Sequence, residues 1–253
     1  GEKAGPVRHM CSGQHSVFVL LAKLGDWDLE SYWLPEHPAQ EAYGEAVAAM
    51  LPGSTLLVGE EATAPRLRAA VFDSKPRIVH LATHGLTGNA QRPYDASLAL
   101  TRPAAPSAGD VGFLTLDELI GKWLGRLRGC ELVVLSACDT GRGTAKGGDS
   151  AMALPIGFFA GGAQTVVASL WKVDDTATAL LMSRFYANVL GKTGSARQID
   201  GVTYKPGEAL PKLAALREAQ GWLRSLTIQD KDRLTKSRPE QIAEAASRGE
   251  VTP

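Results

Sequence analysis

The sequence predicts a doubly wound α/β fold, a mostly parallel sheet with helices on both faces, and three observations carry that expectation. Short apolar runs recur without polar alternation, as in strands buried on both sides. Segments with helical periodicity lie between those runs. Two of the runs lead into His84-Gly85 and into Cys138 ahead of Gly141, and strand ends are where open α/β folds keep their chemistry.

In chain order, the first strand is expected at Val17 to Ala22. A helix over Glu41 to Leu51 follows, with Ala42, Ala46, Ala49 and Met50 at its apolar positions, and Thr55 to Val58 is the second strand. Thr63-Ala-Pro65 opens a helix through Leu67 and Val71, because threonine caps a helix start and proline fits its first turn. Ile78 to Ala82 is the next strand. Leu98 to Leu100 is a further short strand, and the stretch Gln91 to Gly112 around it and Ser97, with three prolines and two glycines, reads as an excursion leaving the main sheet. Leu132 to Leu135 and Thr165 to Ser169 are the remaining strands. Asp149-Ser150 has the look of a helix start, but Pro155 would clash with the preceding turn, so that helix begins nearer Ala153 or is kinked.

Asp174-Asp-Thr-Ala-Thr starts the clearest helix, with Ala177, Leu180, Leu181, Phe185 and Val189 on one face and Gly191 as its stop. Gly191 to Gly207 reads as a loop, and Leu213, Leu216, Leu223 and Leu226 mark an amphipathic helix. Beyond Asp230 the chain is polar without an apolar stripe, and residues 231–253 are expected to fray or to continue into a partner segment. No internal repeat is visible.

Composition narrows the function. A chain of 253 residues suits one large domain, and its 44% apolar and 21% charged content is that of an ordinary globular protein. Lys plus Arg and Asp plus Glu both number 27, so no net field draws the chain to nucleic acid or to an anionic bilayer. No apolar stretch approaches the roughly 20 residues of a membrane helix. Cys11, Cys130 and Cys138 make no complete disulfide set and match no zinc spacing, which points to a reducing cytoplasm and to no metal. The chain opens on Gly1 without a signal-peptide pattern, and is read as a fragment of a longer protein.

The strand ends carry the chemistry. A cysteine nucleophile needs a base to form its thiolate and hydrogen-bond donors for the oxyanion that follows. His84 ends one apolar run and Cys138 lies just past another, so one sheet edge can present both. The backbone N–H groups of Gly85 and Cys138 are the natural oxyanion donors, glycine allowing a substrate carbonyl to approach closely. Histidine precedes cysteine by 54 residues, close to the caspase-type spacing of about 50.

Several strings together resemble one family. They are Ile78-Val-His-Leu-Ala-Thr-His-Gly85, Leu132-Val-Val-Leu-Ser-Ala-Cys-Asp-Thr-Gly141, Gly147-Gly-Asp149, the run from Phe159 to Trp171, and Val173-Asp-Asp-Thr-Ala-Thr178. In this order the chain, from roughly Leu51 to Leu226, resembles a CHAT domain, the caspase-like domain associated with tetratricopeptide repeats. Residues 1 to 40 match the family's first strand only loosely. The resemblance implies a caspase-like three-layer sandwich and a cysteine endopeptidase with His84 as base and Cys138 as nucleophile. It also implies a protein substrate and control by a sensor domain or partner protein, with tetratricopeptide repeats a candidate. Bacterial defence, including antiphage and CRISPR-associated systems, is the setting it suggests.

Ser169-Leu-Trp171 falls where caspase-like enzymes place their substrate-binding strand and loop, so Ser169 and Trp171 are candidate pocket residues. Metacaspase-like enzymes that cut after Arg or Lys carry an acid two residues before the nucleophile, where this chain has Ser136. Asp139, Asp149, Asp174 and Asp175 remain candidates for a basic-selective pocket, although Asp149 and Asp174 also sit where helix caps are expected. Trp171 has a competing place in the core. Cys130 has no candidate base and reads as packing, and His80, four residues before His84 on the same strand face, reads as a hydrogen-bonded core residue. Gly141 to Gly148 lacks the Gly-Lys-Ser/Thr ending of a phosphate loop and reads as a loop beside the nucleophile.

The reading is a single caspase-like endopeptidase domain that needs no cofactor and acts through an acyl-enzyme. A non-catalytic caspase-like interaction module is the principal rival, and a flavodoxin-like cofactor binder shares the strand-helix alternation but lacks a phosphate loop.

Overall fold

A computed structural model describes residues 17–22, 44–45, 47–51, 53–86, 96–102, 112–138, 153–169, 175–235 and 239–248. The chain divides into two compact units, one of residues 15–44 and 51–173, the other of residues 1–14, 45–50 and 174–253.

The first unit is built on β1 (Val17–Ala22), β2 (Thr55–Gly59), β3 (Ile78–Leu86), β4 (Ser97–Ala99), β5 (Phe113–Thr115), β6 (Leu132–Cys138) and β7 (Val166–Ala168). Five of these are parallel, in the order β2-β1-β3-β6-β7. Counted among themselves the parallel strands run 2-1-3-4-5, an order whose direction of winding reverses between β1 and β3. Antiparallel β4 extends the sheet from the end of β3, through Gly85 against Leu98 and Leu86 against Ser97, and β5 pairs with β4.

Among the described residues three helices accompany the sheet: α1 (Ala64–Ser74), α2 (Leu116–Gly121) and α3 (Ala153–Gly161). Thr63 caps α1 by accepting from the Arg66 amide at 3.4 Å, and Thr115 caps α2 through the Glu118 amide at 3.1 Å. Pro155 lies in the first turn of α3, where its missing N–H has no helical partner to lose. Val79 and Leu81 of β3 and Val133 and Leu135 of β6 share one core with Leu67, Val71, Leu116, Leu119, Trp123 and Phe158. Trp123 is fully buried and meets Phe72 and Phe158 edge to face at 5.4 and 6.3 Å. The alternate residues Ile78, His80, Ala82, Leu132 and Val134 are buried as well, which explains why these strands show no polar period. The architecture is mixed α/β with a mostly parallel sheet, as in a caspase-like sandwich.

The second unit contains α4 (Asp175–Val189), the hairpin β8 (Arg197–Ile199) and β9 (Val202–Tyr204), α5 (Lys212–Ser225), α6 (Ile228–Thr235) and α7 (Pro239–Arg248). Its interior is knit by a polar network. The Arg184 guanidinium donates to Glu218 and, at 2.7 Å, to the Ala246 carbonyl of α7. Asn188 donates to the same carboxylate and accepts from Thr193 at 3.0 Å and Arg197 at 2.9 Å. Arg197 then fastens the segment after the hairpin through the carbonyls of Lys205 and Glu208 at 3.0 and 2.8 Å.

Several expectations are corrected. The strand expected to end at Ala82 continues through His84 and Gly85 to Leu86, and the strand expected to end at Leu135 continues to Cys138. Ser97 and its neighbours do not leave the sheet, because β4 takes up pairing with β3 beyond Ala82, where the ladder with β1 stops. The supposed loop after Gly191 holds the β8–β9 hairpin, turned by Asp200 and Gly201 at φ values of 51° and 79°. On α5 the buried stripe is Ala215, Ala219 and Trp222, while Leu213 is 64% exposed. Small alanines let neighbouring helices come close, which the larger leucines would prevent. The stretch after Asp230 forms helices, with Leu234 and Ala246 buried. On the helix expected before β2, Val47 and Met50 are buried and Ala49 is exposed.

Candidate active site

Parallel pairing between β3 and β6 runs in register from Ile78 opposite Leu132 to His84 opposite Cys138. The two candidate residues are therefore matched Cα positions on neighbouring strands, about 4.8 Å apart across the sheet. His84 is half-buried. The ladder between β3 and β1 ends at Ala82, two residues short of His84, so the histidine lies past the end of the sheet's switch point, at the carboxyl ends of its strands.

The residues around this pair fix the backbone. Thr83 is buried, and its hydroxyl donates to the Ala99 carbonyl, tying β4 to β3 beside His84. In the sequence Thr83 is marked only by its hydroxyl between Ala82 and His84. Gly85 stands in the short antiparallel ladder opposite Leu98. Ser136 is opposite Ala82, two positions before the pair. Ser169 immediately follows β7 and is half-buried.

His80 is fully buried on the same strand, and burial pushes its imidazole from the ordinary 6.5 down to about 3. It is neutral at physiological pH. Cys130 is buried in the core, with its thiol donating to the Leu132 carbonyl at 3.4 Å. Asp175 is the first residue of α4, in the second unit. Asp139, Asp149, Trp171 and Asp174 lie outside the described residues, as does the loop from Gly141 to Gly148. Among the described residues no group of three or more His, Cys, Asp or Glu side chains is arranged to hold a metal ion, and no helix is long and apolar enough to cross a membrane.

The parallel sheet in this winding order, with a histidine and a cysteine at matched strand ends, defines a mixed α/β domain of the caspase-like kind. The family model described as the CHAT domain matches residues 22–241, and the chain belongs to that family. No curated protein matches the chain.

Proposed function

We propose that this chain is a cysteine endopeptidase domain in which His84 and Cys138 form the catalytic dyad. The observation that carries the reading is the ladder that sets these two positions opposite each other. A base two or more residues out of register would be too distant for direct proton transfer, since each residue adds about 3.3 Å along a strand.

In this reading His84 takes the Cys138 proton, and the thiolate adds to the scissile carbonyl while the N–H groups of Gly85 and Cys138 hold the oxyanion. Collapse of the tetrahedral intermediate expels the amine, which leaves with the proton held by His84. Water, deprotonated by His84, then attacks the thioester and releases the acyl product and the free thiol. Ser169 and Trp171, with Asp139 and Asp149, are the proposed contributors to substrate binding. A sensor domain or partner protein orders the site when cleavage is required, in a bacterial cytoplasmic defence pathway.

Cleavage-site mapping on the proteome of the source cell tests this function. Expected are new protein termini sharing a residue preference, absent when Cys138→Ala replaces the wild-type chain. Identical termini with both chains would remove the dyad from the account.

A further inference from the structure

Among the described residues seven large apolar side chains stand exposed, and four of them belong to α2, α3 and the turn after α2: Ile120 (47%), Leu124 (62%), Ile156 (52%) and Phe159 (45%). They lie on elements that touch one another. The two helices touch where Gly157 faces Leu116 and Leu119, and the Gly125 amide donates to the Ala160 carbonyl at 3.4 Å, which brings Leu124 alongside the end of α3. The sequence of α3, Ala-Leu-Pro-Ile-Gly-Phe-Phe-Ala-Gly, contains no polar side chain. A helix apolar on all sides is one that is covered on all sides. Leu154 and Phe158 face the core, which leaves Ile156, Phe159 and Ala160 for something else.

Charge beside the patch indicates what that is. The segment from α2 towards β6 reads Lys122-Trp-Leu-Gly-Arg-Leu-Arg128, and Lys122, Arg126 and Arg128 are all exposed. Arg126 is engaged over the Phe72 ring at 5.1 Å. Arg128 lies against Gly125, its Nε 3.6 Å from where a side chain would begin there, and so sits next to Leu124. Asp117 is the exposed acid on α2 and is outnumbered by these cations.

We infer that the α2–α3 face is a docking site for an amphipathic helix of a partner protein, its apolar stripe covering Ile120, Leu124, Ile156 and Phe159 and its flanking carboxylates meeting Lys122 and Arg128. The spacing on α3 fits, since Ile156 and Phe159 are three residues apart on one ridge of that helix, the kind of ridge on which another helix packs.

A phage-displayed library of 18-residue helical peptides, randomised at the face and flanks and selected against the whole chain, supplies the test. Enriched peptides should carry apolar residues at i, i+3 or i+4, and i+7, with Asp or Glu beside them. Individual enriched peptides, measured by fluorescence anisotropy, should bind Leu124→Glu/Ile156→Glu at least tenfold more weakly. A second selection against Lys122→Glu/Arg128→Glu should enrich Lys and Arg at the same flanks. All four substitutions are at exposed positions, and unchanged thermal unfolding verifies that they spare the fold. The proposal is overturned if no peptide is enriched, or if enrichment ignores these substitutions. It is equally overturned if the patch instead mediates flotation with vesicles of phosphatidylcholine and phosphatidylserine, or dimerisation in sedimentation, and either is abolished by Leu124→Glu/Ile156→Glu.

Discussion

His84 and Cys138 close a seven-pair parallel ladder between β3 and β6, facing each other at its carboxyl end. Their register is directly testable by cross-linking. Matched Cα positions about 4.8 Å apart fall within the range that a disulfide bridges. In a background with Cys11 and Cys130 replaced by Ser, His84→Cys should oxidise to a bond with Cys138, seen as a linked peptide by mass spectrometry. Ala82→Cys, two residues out of register and roughly 8 Å away, should not. Linkage from position 82 and none from 84 would place the strands in another register.

Buried His80 makes stability fall in mild acid. Its folded pKa of about 3 lies below the ordinary 6.5, so the unfolded chain binds the proton that the folded chain excludes. The contribution is intact above pH 6.5 and is lost as pH drops, at about 1.4 kcal/mol per unit down to about pH 3. Urea unfolding between pH 7.5 and 4.5 should show a slope shallower by close to one proton in His80→Gln than in the parent chain. Parallel slopes would mean that His80 is protonated in the fold.

Two glycine substitutions should act in opposite directions. A β-carbon at Gly157 would lie 2.9 Å from two Leu119 atoms and 3.0 Å from Leu116, so Gly157→Ala overpacks the α2–α3 contact. Overpacking costs about 1–3 kcal/mol and outweighs the roughly 1 kcal/mol gained in helix propensity. Gly221 on α5 has nothing within 4 Å, and Gly221→Ala should stabilise by up to about 1 kcal/mol. Denaturant midpoints measure both.

Glu218 is the carboxylate at the centre of the second unit's network, bonded to Arg184 and Asn188. Arg184 is only 3% exposed, so Glu218→Ala strands a buried guanidinium and should cost about 3–5 kcal/mol. The double replacement Arg184→Leu/Glu218→Leu should cost less than the sum of its single changes. Additive losses in that cycle, followed by urea unfolding, would show that the two side chains do not interact.

Much of this architecture was legible because parallel strands advertise themselves. The runs at Val17, Thr55, Ile78, Leu132 and Thr165 became β1, β2, β3, β6 and β7 within a few residues, and in β3 and β6 burial on both faces accounts for the missing polar alternation. The Thr63 cap and the start of α3 near Pro155 were readable from local preferences, threonine accepting from a free amide and proline fitting only the first helical turn. What escaped depended on short or small-residue signals. Asp200-Gly201 is a two-residue turn with both φ values positive, a hairpin signature flanked by only three strand residues on each side. Thr227 and Asp230 form a reciprocal cap, the hydroxyl accepting from the Asp230 amide at 3.1 Å and the carboxylate from the Thr227 amide at 3.1 Å, and so start α6 where the sequence looked merely polar. Ala215 and Ala219 on α5 and Ala246 on α7 are fully buried but weigh little in a hydropathy pattern. At the site, motif spacing brought His84 and Cys138 together in the reading, while the continuation of both strands to those residues depends on cross-strand pairing that no local run of sequence encodes.

The central claim, that His84 activates Cys138, is tested most directly by the alkylation rates of the three cysteines with iodoacetamide at pH 6.5, followed by mass spectrometry. A histidine-paired thiol holds far more thiolate at this pH than an ordinary cysteine with a pKa near 8.5. Cys138 should react at least tenfold faster than Cys11, with Cys130 slowest because it is only 1% exposed. His84→Ala should remove the advantage of Cys138. Equal rates at Cys138 and Cys11, or a fast Cys138 that persists in His84→Ala, would contradict the dyad.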